Sequence, residues 1–593
     1  IAIGDRSIIQ FYLDVRYMLP GILSLFSLII MLSFVEYASP ERITELLIKE
    51  RVKVAIKGKL HKLSPVLTLN KEENNEKLSI AEQLFLIMPP RDSWCRPQKK
   101  DRINSDNEKR SDKQILTRAI AMTIKKHRKS ADSHPYLKRL DAYIASLRND
   151  ITSNEPLEFN SIKIFGKKKK VAPDGTIILR PLCVFESLSE KLLIALASKY
   201  LSEAFDPLLH EEILSYRPPR IYHNSSELVL TDRDNAIENL LQYRSTHRMR
   251  NIYVTECDIQ KYFDTINHDV IRECFLAFVA KIQEQHPQFD YTSVGRIVEA
   301  YLNSYSFFKT VVAENNRLMR QTPPQLFESP KEELFIERGC YTEEEFLTSR
   351  DKIGIPQGGA LSGLISNVVL STVDSKSILK NADPNRFFCR YGDDIMLMHT
   401  SKKECQHLID SYCETLTKHK LLYHEFISVS DPQFRRKNDT VRPSLWNQKS
   451  RKPFLWGRNN NDSEQIDWIG FLGYEIRYSG DVRLRRSSLN DKFKAIKRKY
   501  HAAVKTKIAK GTLTEATAEK IDKEILNRIE KFKGTNLKSA KSLNANKFSA
   551  TQEYKLTQYS NKWLFRLLYK IAKRNNLTKQ QLNDYWAKTK DLD

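Results

Sequence analysis

The 593 residues carry 97 Lys+Arg against 73 Asp+Glu, a formal charge of +24, and 41% of them are hydrophobic. At roughly 100 to 200 residues per domain this is several structural units, each apolar enough for a core, which excludes a single ordinary domain and disorder throughout. The cysteines (Cys95, Cys183, Cys257, Cys274, Cys340, Cys389, Cys405 and Cys413) form no C-x-x-C pair and no Cys/His group at zinc spacing, so disulfide scaffolds and zinc-finger readers drop out and a reducing compartment is expected.

In chain order, Tyr17 to Val35 is uncharged and approaches the roughly 20 residues of a membrane helix. Pro20, Gly21, Ser24, Ser27 and Ser33 weaken it, and a buried or oligomer-packing helix is expected in preference to a membrane segment. No basic stretch with a following small-residue cleavage site marks a signal peptide, and the start at Ile1 instead of Met is what a missing N-terminus would leave. Gln98 to Lys113 reads as a polar linker closing an N-terminal extension, 1–113. Helical spacing comes next, over Ile115 to His127 and Tyr136 to Leu147. Ile162 to Leu182 then reads as two strands joined by Lys167–Lys170 and the turn Pro173-Asp174-Gly175, and Ser187 to Phe205 as a helix.

Beyond Asn251, Ile252 to Ile259 predicts a short apolar strand, and Phe387 to His399 an apolar run broken only by Gly392-Asp393-Asp394. Glu328 to Glu345 reads as a surface insertion, and Ser430 to Asp467, with Asn459-Asn460-Asn461, as a second polar one. From Asp481 to Asp593 there are 28 Lys+Arg and 11 Asp+Glu, +17 of the total charge, a concentration that suits a polyanion through counterion release. Capping boxes at Thr512-x-x-Glu515 and Thr578-x-x-Gln581 make this region helical, and Trp563, Phe565, Leu567 and Leu568 read as core.

Three segments carry chemistry. Gly392-Asp393-Asp394 puts two carboxylates at a tight turn between apolar strands, where they can face a cation. Asp258 ends another apolar strand in Cys257-Asp258-Ile259-Gln260-Lys261-Tyr262-Phe263-Asp264, and a carboxylate there can converge with the first two into the oxygen-rich site that Mg²⁺ prefers. Three carboxylates can hold two metals roughly 3.5 to 4 Å apart, the arrangement for nucleotidyl transfer. Gly354-Ile355-Pro356-Gln357-Gly358-Gly359-Ala360-Leu361-Ser362-Gly363 is a glycine-rich turn before a helix-like run from Leu361 to Leu370, suited to close backbone approach to a sugar-phosphate.

Along the chain, the Asp258 segment, the glycine-rich turn and the Asp393-Asp394 turn resemble, in that order, motifs A, B and C of a reverse transcriptase palm. Arg180-Pro181-Leu182 is similar to the fingers motif of bacterial and group II intron reverse transcriptases, Ser215-Tyr216-Arg217-Pro218 resembles their Ser-Tyr-Gly-Phe-Arg-Pro, and Phe471-Leu472-Gly473-Tyr474 resembles motif E. The resemblance covers about 160–490. It implies an α+β right-hand polymerase with fingers (114–250), a palm of antiparallel sheet and helices (251–480, with insertions at about 284–350 and 430–467) and an all-α basic thumb-like region (481–593). It further implies an RNA-directed DNA polymerase acting on dNTPs with RNA and DNA as partners. Asp258, Asp393 and Asp394 would hold two Mg²⁺ ions, Mn²⁺ being the alternative, with Ile259 joining as a metal contact. Phe263 would be the gate against a ribose 2′-OH, Gln357 and Gly358 would line the nucleotide pocket, and Arg180 would contact the triphosphate, with Lys163 and Lys167 to Lys170 able to do the same. Phe471, Leu472, Gly473 and Tyr474 would grip the primer.

The chain departs from the pattern at Ser362-Gly363, where the family continues Ser-Pro. It departs again at Lys420-Leu421-Leu422-Tyr423-His424-Glu425-Phe426, which puts Phe426 and Ile427 where a lysine proposed to protonate pyrophosphate is common. His424 or Lys420 are the alternatives. An RNA-dependent RNA polymerase, using Asp264 as its second motif A carboxylate, is disfavoured by Phe263 and by Pro356-Gln357-Gly358; a catalytically inactive RNA-binding palm is the rival of another class. His268-Asp269 reads as a structural helix start. No zinc-binding endonuclease motif and no ribonuclease H carboxylate set is present, so the layout is most similar to bacterial antiphage reverse transcriptases of the abortive-infection and defence-associated group, with a retron or intron-type enzyme as the alternative. That resemblance implies a bacterial cytoplasmic protein whose partner is a noncoding RNA, a second reverse transcriptase or another copy of itself.

Overall fold

A computed structural model describes residues 32–56, 71, 78–98, 102, 110–130, 134–218, 220–221, 228–229, 233–434, 443–457 and 465–485. The segment Tyr17–Val35 lies outside the described residues up to position 31. So do Asn459–Asn461, nearly all of the basic 481–593 region, both of its capping boxes and the cluster around Trp563. Among the described residues no helix is long and apolar enough to cross a membrane.

Helices α1 (Pro40–Ile56), α2 (Ile80–Ile87), α3 (Asp112–Lys129) and α4 (Pro135–Thr152) come first. Ser79 and Ser111 start α2 and α3 with reciprocal capping boxes to Glu82 and Gln114, so two orphan amides are satisfied at each start. These helices share one core with the fingers: Leu47, Leu84, Ile120 and Leu140 belong to the cluster that holds Leu192 and Tyr200 of α5 (Leu188–Phe205). Phe34, at the end of the long apolar segment, packs on Tyr200 with ring centroids 5.2 Å apart, and the Tyr200 hydroxyl donates to the Leu32 carbonyl.

Strands β1 (Ile162–Val171) and β2 (Ile177–Phe185) form the basic hairpin, and Lys167–Lys170 lie within β1, not in the turn. After α6 (Arg233–Thr246) comes the palm: β3 (Ile252–Asp258), α7 (His268–Gln285) and α8 (Thr292–Asn303), then β4 (Gln325–Phe327) and α9 (Ser362–Lys376). The hairpin β5 (Arg386–Tyr391) and β6 (Asp394–His399), α10 (Lys402–Lys418), β7 (Phe426–Ile427), β8 (Ser450–Trp456) and β9 (Gln465–Ile466) complete it. The sheet runs β9-β8-β3-β6-β5, with β7 also on β8. Strand alternation sends Ile395 and Leu397 into the core under α7, α9 and α10, and Met396 and Met398 into a second core with Phe454 and Trp456. A separate sheet, β10 (Trp468–Phe471), β11 (Tyr474–Arg477) and β12 (Val482–Leu484), closes that second core.

Both expected insertions differ from expectation. Within 284–350, α8 buries Val294, Ile297 and Tyr301 in the main core. The stretch Glu328 to Glu345, read as a surface excursion, is folded too: Phe335, Cys340 and Tyr341 join Phe307 and Val311 in a third core beneath the fingers hairpin. β4 adds a parallel third strand to that hairpin, pairing Leu179 with Phe327. Within 430–467, β8 is an interior strand of the palm sheet. Its charges concealed it, since Arg451 is buried against Glu256 of β3 and behaves as an internal residue.

Candidate active site

Asp258 ends β3, and its partner across the ladder is Asp394, the first residue of β6. Directly opposed antiparallel residues share a face, with Cβ atoms about 4.5 to 5.5 Å apart. Asp393 lies in the two-residue turn closed by Tyr391 and Asp394, where Gly392 adopts φ +74°, the positive value a tight hairpin needs. Burial raises the Asp393 carboxyl above its ordinary range, with the Asp258 charge adding to it. Burial, then Asp393 and Asp258, push Asp394 up to about 6.

The turn is held from behind. Arg390, fully buried, donates from Nε to Asp374 at 2.7 Å and from its terminal nitrogens to Ser371, Asn367 and the Gly392 carbonyl. The Gly392 amide donates to Ser215 Oγ at 2.6 Å, and Asn367 donates to the Ser215 carbonyl. Arg217 is buried with its guanidinium on the Asp206 carboxylate and on the carbonyls of Asp206, His210 and Ile213. The Ser215-Tyr216-Arg217-Pro218 segment is therefore the bracket that seats the Asp393 turn.

Lys420 has turned away, its ammonium 4.5 Å from the Tyr341 ring centroid. Burial lowers the His424 pKa, and its amide donates to the Asp258 carbonyl at 3.0 Å. Phe426 and Ile427 pair with Ser450 and Arg451. Lys449, immediately before β8, donates to the Asp258 carboxylate, and the next residue's hydroxyl, Ser450 Oγ, accepts from the Asp258 amide. The signal that could have found this lysine is Lys449-Ser450 leading into Phe454-Leu455-Trp456.

Arg180, Phe263, Gln357 and Gly358 line one cleft of about 650 Å³ together with Asp393. The motif B loop is tied to motif A, since the Ile355 amide donates to the Phe263 carbonyl and Gln357 Nε2 donates to Asp264 at 2.7 Å. Burial pushes Asp264 up to about 6, against the Gln357 hydrogen bond and the charges of Lys261 and Arg180. Among the lysines weighed beside Arg180, Lys163 is paired with Glu186, whereas Lys169 reaches the cleft and meets Glu328. Glu328 is held below the ordinary carboxylate range: burial opposes this, but Lys261, Lys169 and Lys170 outweigh it. Ile259 is buried and bridges to Tyr423. Phe471 and Tyr474 are buried in the second core, and Leu472-Gly473 form the hairpin tip with φ of +48° and +88°. The structure sets the four motif E residues on this neighbouring sheet, not in the cleft wall. His268 starts α7, its Nε2 2.7 Å from the Gly354 carbonyl.

Among the described residues no three His, Cys, Asp or Glu side chains are gathered tightly enough to form a ready metal cluster. The chemistry of the donor set nevertheless fits a hard divalent cation: all three side-chain donors are carboxylates, and burial and neighbouring charge oppose the ionisation of Asp393 and Asp394, an opposition that a dication relieves.

Residues 167–425 match the family described as reverse transcriptase (RNA-dependent DNA polymerase). This stretch is a reverse transcriptase domain, and the enzyme it makes is an RNA-directed DNA polymerase, a nucleotidyltransferase. No curated protein matches the chain. Among solved structures, the apo telomerase of Candida tropicalis truncated from its C-terminal domain is 12% identical over 65% of this chain and 74% of its own, with a TM-score of 0.33. The apo telomerase of the same organism aligns at 12% identity over 65% of this chain and 63% of its own, with a TM-score of 0.34. The Candida albicans telomerase in complex with a TWJ fragment of telomeric RNA aligns at 11% identity over 76% and 68%, with a TM-score of 0.31.

Proposed function

We propose that the chain extends a DNA strand from dNTPs on an RNA template by two-metal nucleotidyl transfer, with Asp258, Asp393 and Asp394 as the metal-holding carboxylates. The pairing of Asp258 with Asp394, with Asp393 in the adjoining turn and in the wall of the cleft that Arg180, Phe263 and Gln357 line, carries this reading. Two divalent ions held there would supply Lewis-acid activation of the primer 3′-hydroxyl and neutralise charge on the departing pyrophosphate. Arg180 and Lys169 present fixed positive charge to the triphosphate, and Gln357, oriented by Asp264, faces the nucleotide. As the new oxygen–phosphorus bond forms and the bond to pyrophosphate breaks, the primer hydroxyl gives its proton to water, and Lys449, which pairs with Asp258 here and is set free once a cation takes that carboxylate, gives the leaving group its proton.

Purified protein incubated with Mg²⁺, labelled dNTP or NTP and an RNA template with DNA primer, beside an Asp393→Asn/Asp394→Asn control, tests the reading. Incorporation of dNTPs that the control loses is the expected result; incorporation of NTPs alone would overturn it. Phe263→Ala is expected to lower discrimination against NTPs by about tenfold or more, the scale on which a removed steric contact acts.

The setting we propose is antiviral defence in the bacterial cytoplasm, with a noncoding RNA, a second reverse transcriptase or a further copy of the chain as partner. What favours it is the layout: a helical N-terminal unit sharing its core with the fingers, and 28 Lys+Arg against 11 Asp+Glu in the last part of the chain. Phage plating on cells expressing the wild type or the Asp393→Asn/Asp394→Asn variant decides it; equal plating on both would remove the defence role and leave the polymerase.

A further inference from the structure

The cleft beside the aspartates contains a carboxylate that polymerase chemistry does not need. Glu328 stands 3.5 Å from Lys169, 3.4 Å from Lys170 and 3.8 Å from Lys261. Its position is built, not incidental. β4 runs parallel to β2 with Phe327 beside Leu179, and Glu328 follows directly at the end of β4. Asn315 fixes β4 from the other side, donating to the Phe327 carbonyl and accepting from its amide. The Lys261 ammonium also takes the carbonyls of Glu328 and Ser329 at 2.7 and 2.6 Å. Lys169, Arg180, Lys261 and Glu328 all line the cleft that Asp393 borders.

We infer that Glu328 is an internal stand-in for a phosphate, holding the lysines that the incoming nucleotide's triphosphate must take, so that the folded segment between motifs A and B sets nucleotide affinity. This rests on the polymerase reading above. A triphosphate and the Glu328 carboxylate are both anions and cannot share Lys169 and Lys170 without repulsion, so one replaces the other. The exchange is easy, because the pairs are partly exposed, with Lys169 at 41%, Lys170 at 56% and Glu328 at 36%, and exposed ion pairs are weak. Only the fraction of molecules with Glu328 released binds nucleotide at full strength, and the apparent affinity is lowered by that fraction. Lys261 keeps its two backbone carbonyls throughout, so the segment stays docked while the carboxylate leaves.

Glu328→Gln keeps the strand, the shape and both carbonyls and removes only the charge. The expected result is a KM for dNTP lower by about threefold to tenfold with kcat not reduced, the range that two or three weak ion pairs provide. Adding Lys169→Gln to Glu328→Gln is expected to abolish that gain. In parallel, the affinity for inorganic tripolyphosphate, measured without template or metal, is expected to rise by a similar factor in Glu328→Gln and to lose its difference from wild type at high salt. A KM that is unchanged or raised, together with tripolyphosphate binding that is unchanged or weakened, would overturn the inference and show Glu328 to be an anchor for the lysines. Failure of the polymerase reading itself is seen separately, as a wild type that incorporates no dNTP. In that event stronger tripolyphosphate binding by Glu328→Gln still supports the phosphate stand-in, and unchanged binding overturns it.

Discussion

The Lys449 ammonium rests on the Asp258 carboxylate, joining residues 191 positions apart in the chain. Lys449 is largely exposed, at 58%, whereas Asp258 is at 12%, so the lysine can swing while the carboxylate is fixed by the sheet. Removing it should leave the fold intact and remove a proton donor. Lys449→Ala is expected to lower kcat about a hundredfold or more, the usual span for a general acid, with little change in KM. Single-turnover rates of the wild type and the variant check this. Lys449→Arg keeps the charge but holds its proton too tightly to give it up. Full recovery by arginine would leave Lys449 as a counter-ion only.

Behind the turn, Arg390 and Asp374 are both fully buried, and Arg390 also holds the Gly392 carbonyl. Breaking such a pair on one side leaves an uncompensated charge in the core and costs about 3 to 5 kcal/mol. Asp374→Asn is therefore expected to lose that much in urea unfolding. The joint replacement Asp374→Leu/Arg390→Met should recover much of the stability. It should not recover activity, because the Gly392 carbonyl then loses its guanidinium donor and the turn that carries Asp393 is held through Ser215 alone. Equal recovery of both would mean the pair only fills space.

How much of the fold and site was legible in the sequence depends on what each segment packs against. β3, the β5–β6 hairpin and α9 are apolar runs bounded by glycine and acidic turns, and they stand out because both faces of the central strands are buried. The strand β8 does not stand out. Arg451-Lys452-Pro453 interrupts its apolar pattern, and only the tertiary partner Glu256 makes Arg451 an interior residue. The same blindness hides Lys449, which has meaning only beside Asp258. In the stretch from Glu328 to Glu345 the acidic residues mask Phe335, Cys340 and Tyr341, whose burial depends on the fingers hairpin above them. Charge dominates a local reading, whereas burial is settled by partners far away in the chain.

Asp264 supplies a pH test. Burial raises its pKa from 3.8 to about 6. An acid whose pKa rises on folding binds its proton more tightly in the native state, so stability is greatest below the unfolded value, falls as pH climbs from about 4 to 6 and is level above. Asp264→Asn removes that slope while its side-chain oxygen can still accept from Gln357. Relative to wild type, the variant is expected to gain stability through this window, by at most about 3 kcal/mol at neutral pH for a shift of that size. Denaturant unfolding of both proteins at pH 4, 5, 6 and 7 checks it. A difference that does not grow with pH would mean that Lys261 and Arg180 fully offset the burial of the carboxylate.

Gly363 stands where the related motif carries proline, and the reason is Tyr216. A Cβ at position 363 would come within 2.7 Å of the Tyr216 ring, and that ring also borders Gly392 of the Asp393 turn. Tyr216 is itself held at φ +55°, a conformation costly for a side chain of that size. The bracket residue and the glycine thus compensate for each other: the chain accepts strain at Tyr216 to lay a ring between the α9 start and the Asp393 turn, and only glycine leaves space for it. Gly363→Ala is expected to cost about 1 to 3 kcal/mol by overpacking and to depress activity by displacing the turn. Tyr216→Gly relieves the backbone and empties the space, so the two changes together should be less damaging to stability than their sum, by about 1 kcal/mol or more. A double-mutant cycle on unfolding free energy measures this coupling, and strictly additive losses would show that the ring and the glycine do not compete for the same space.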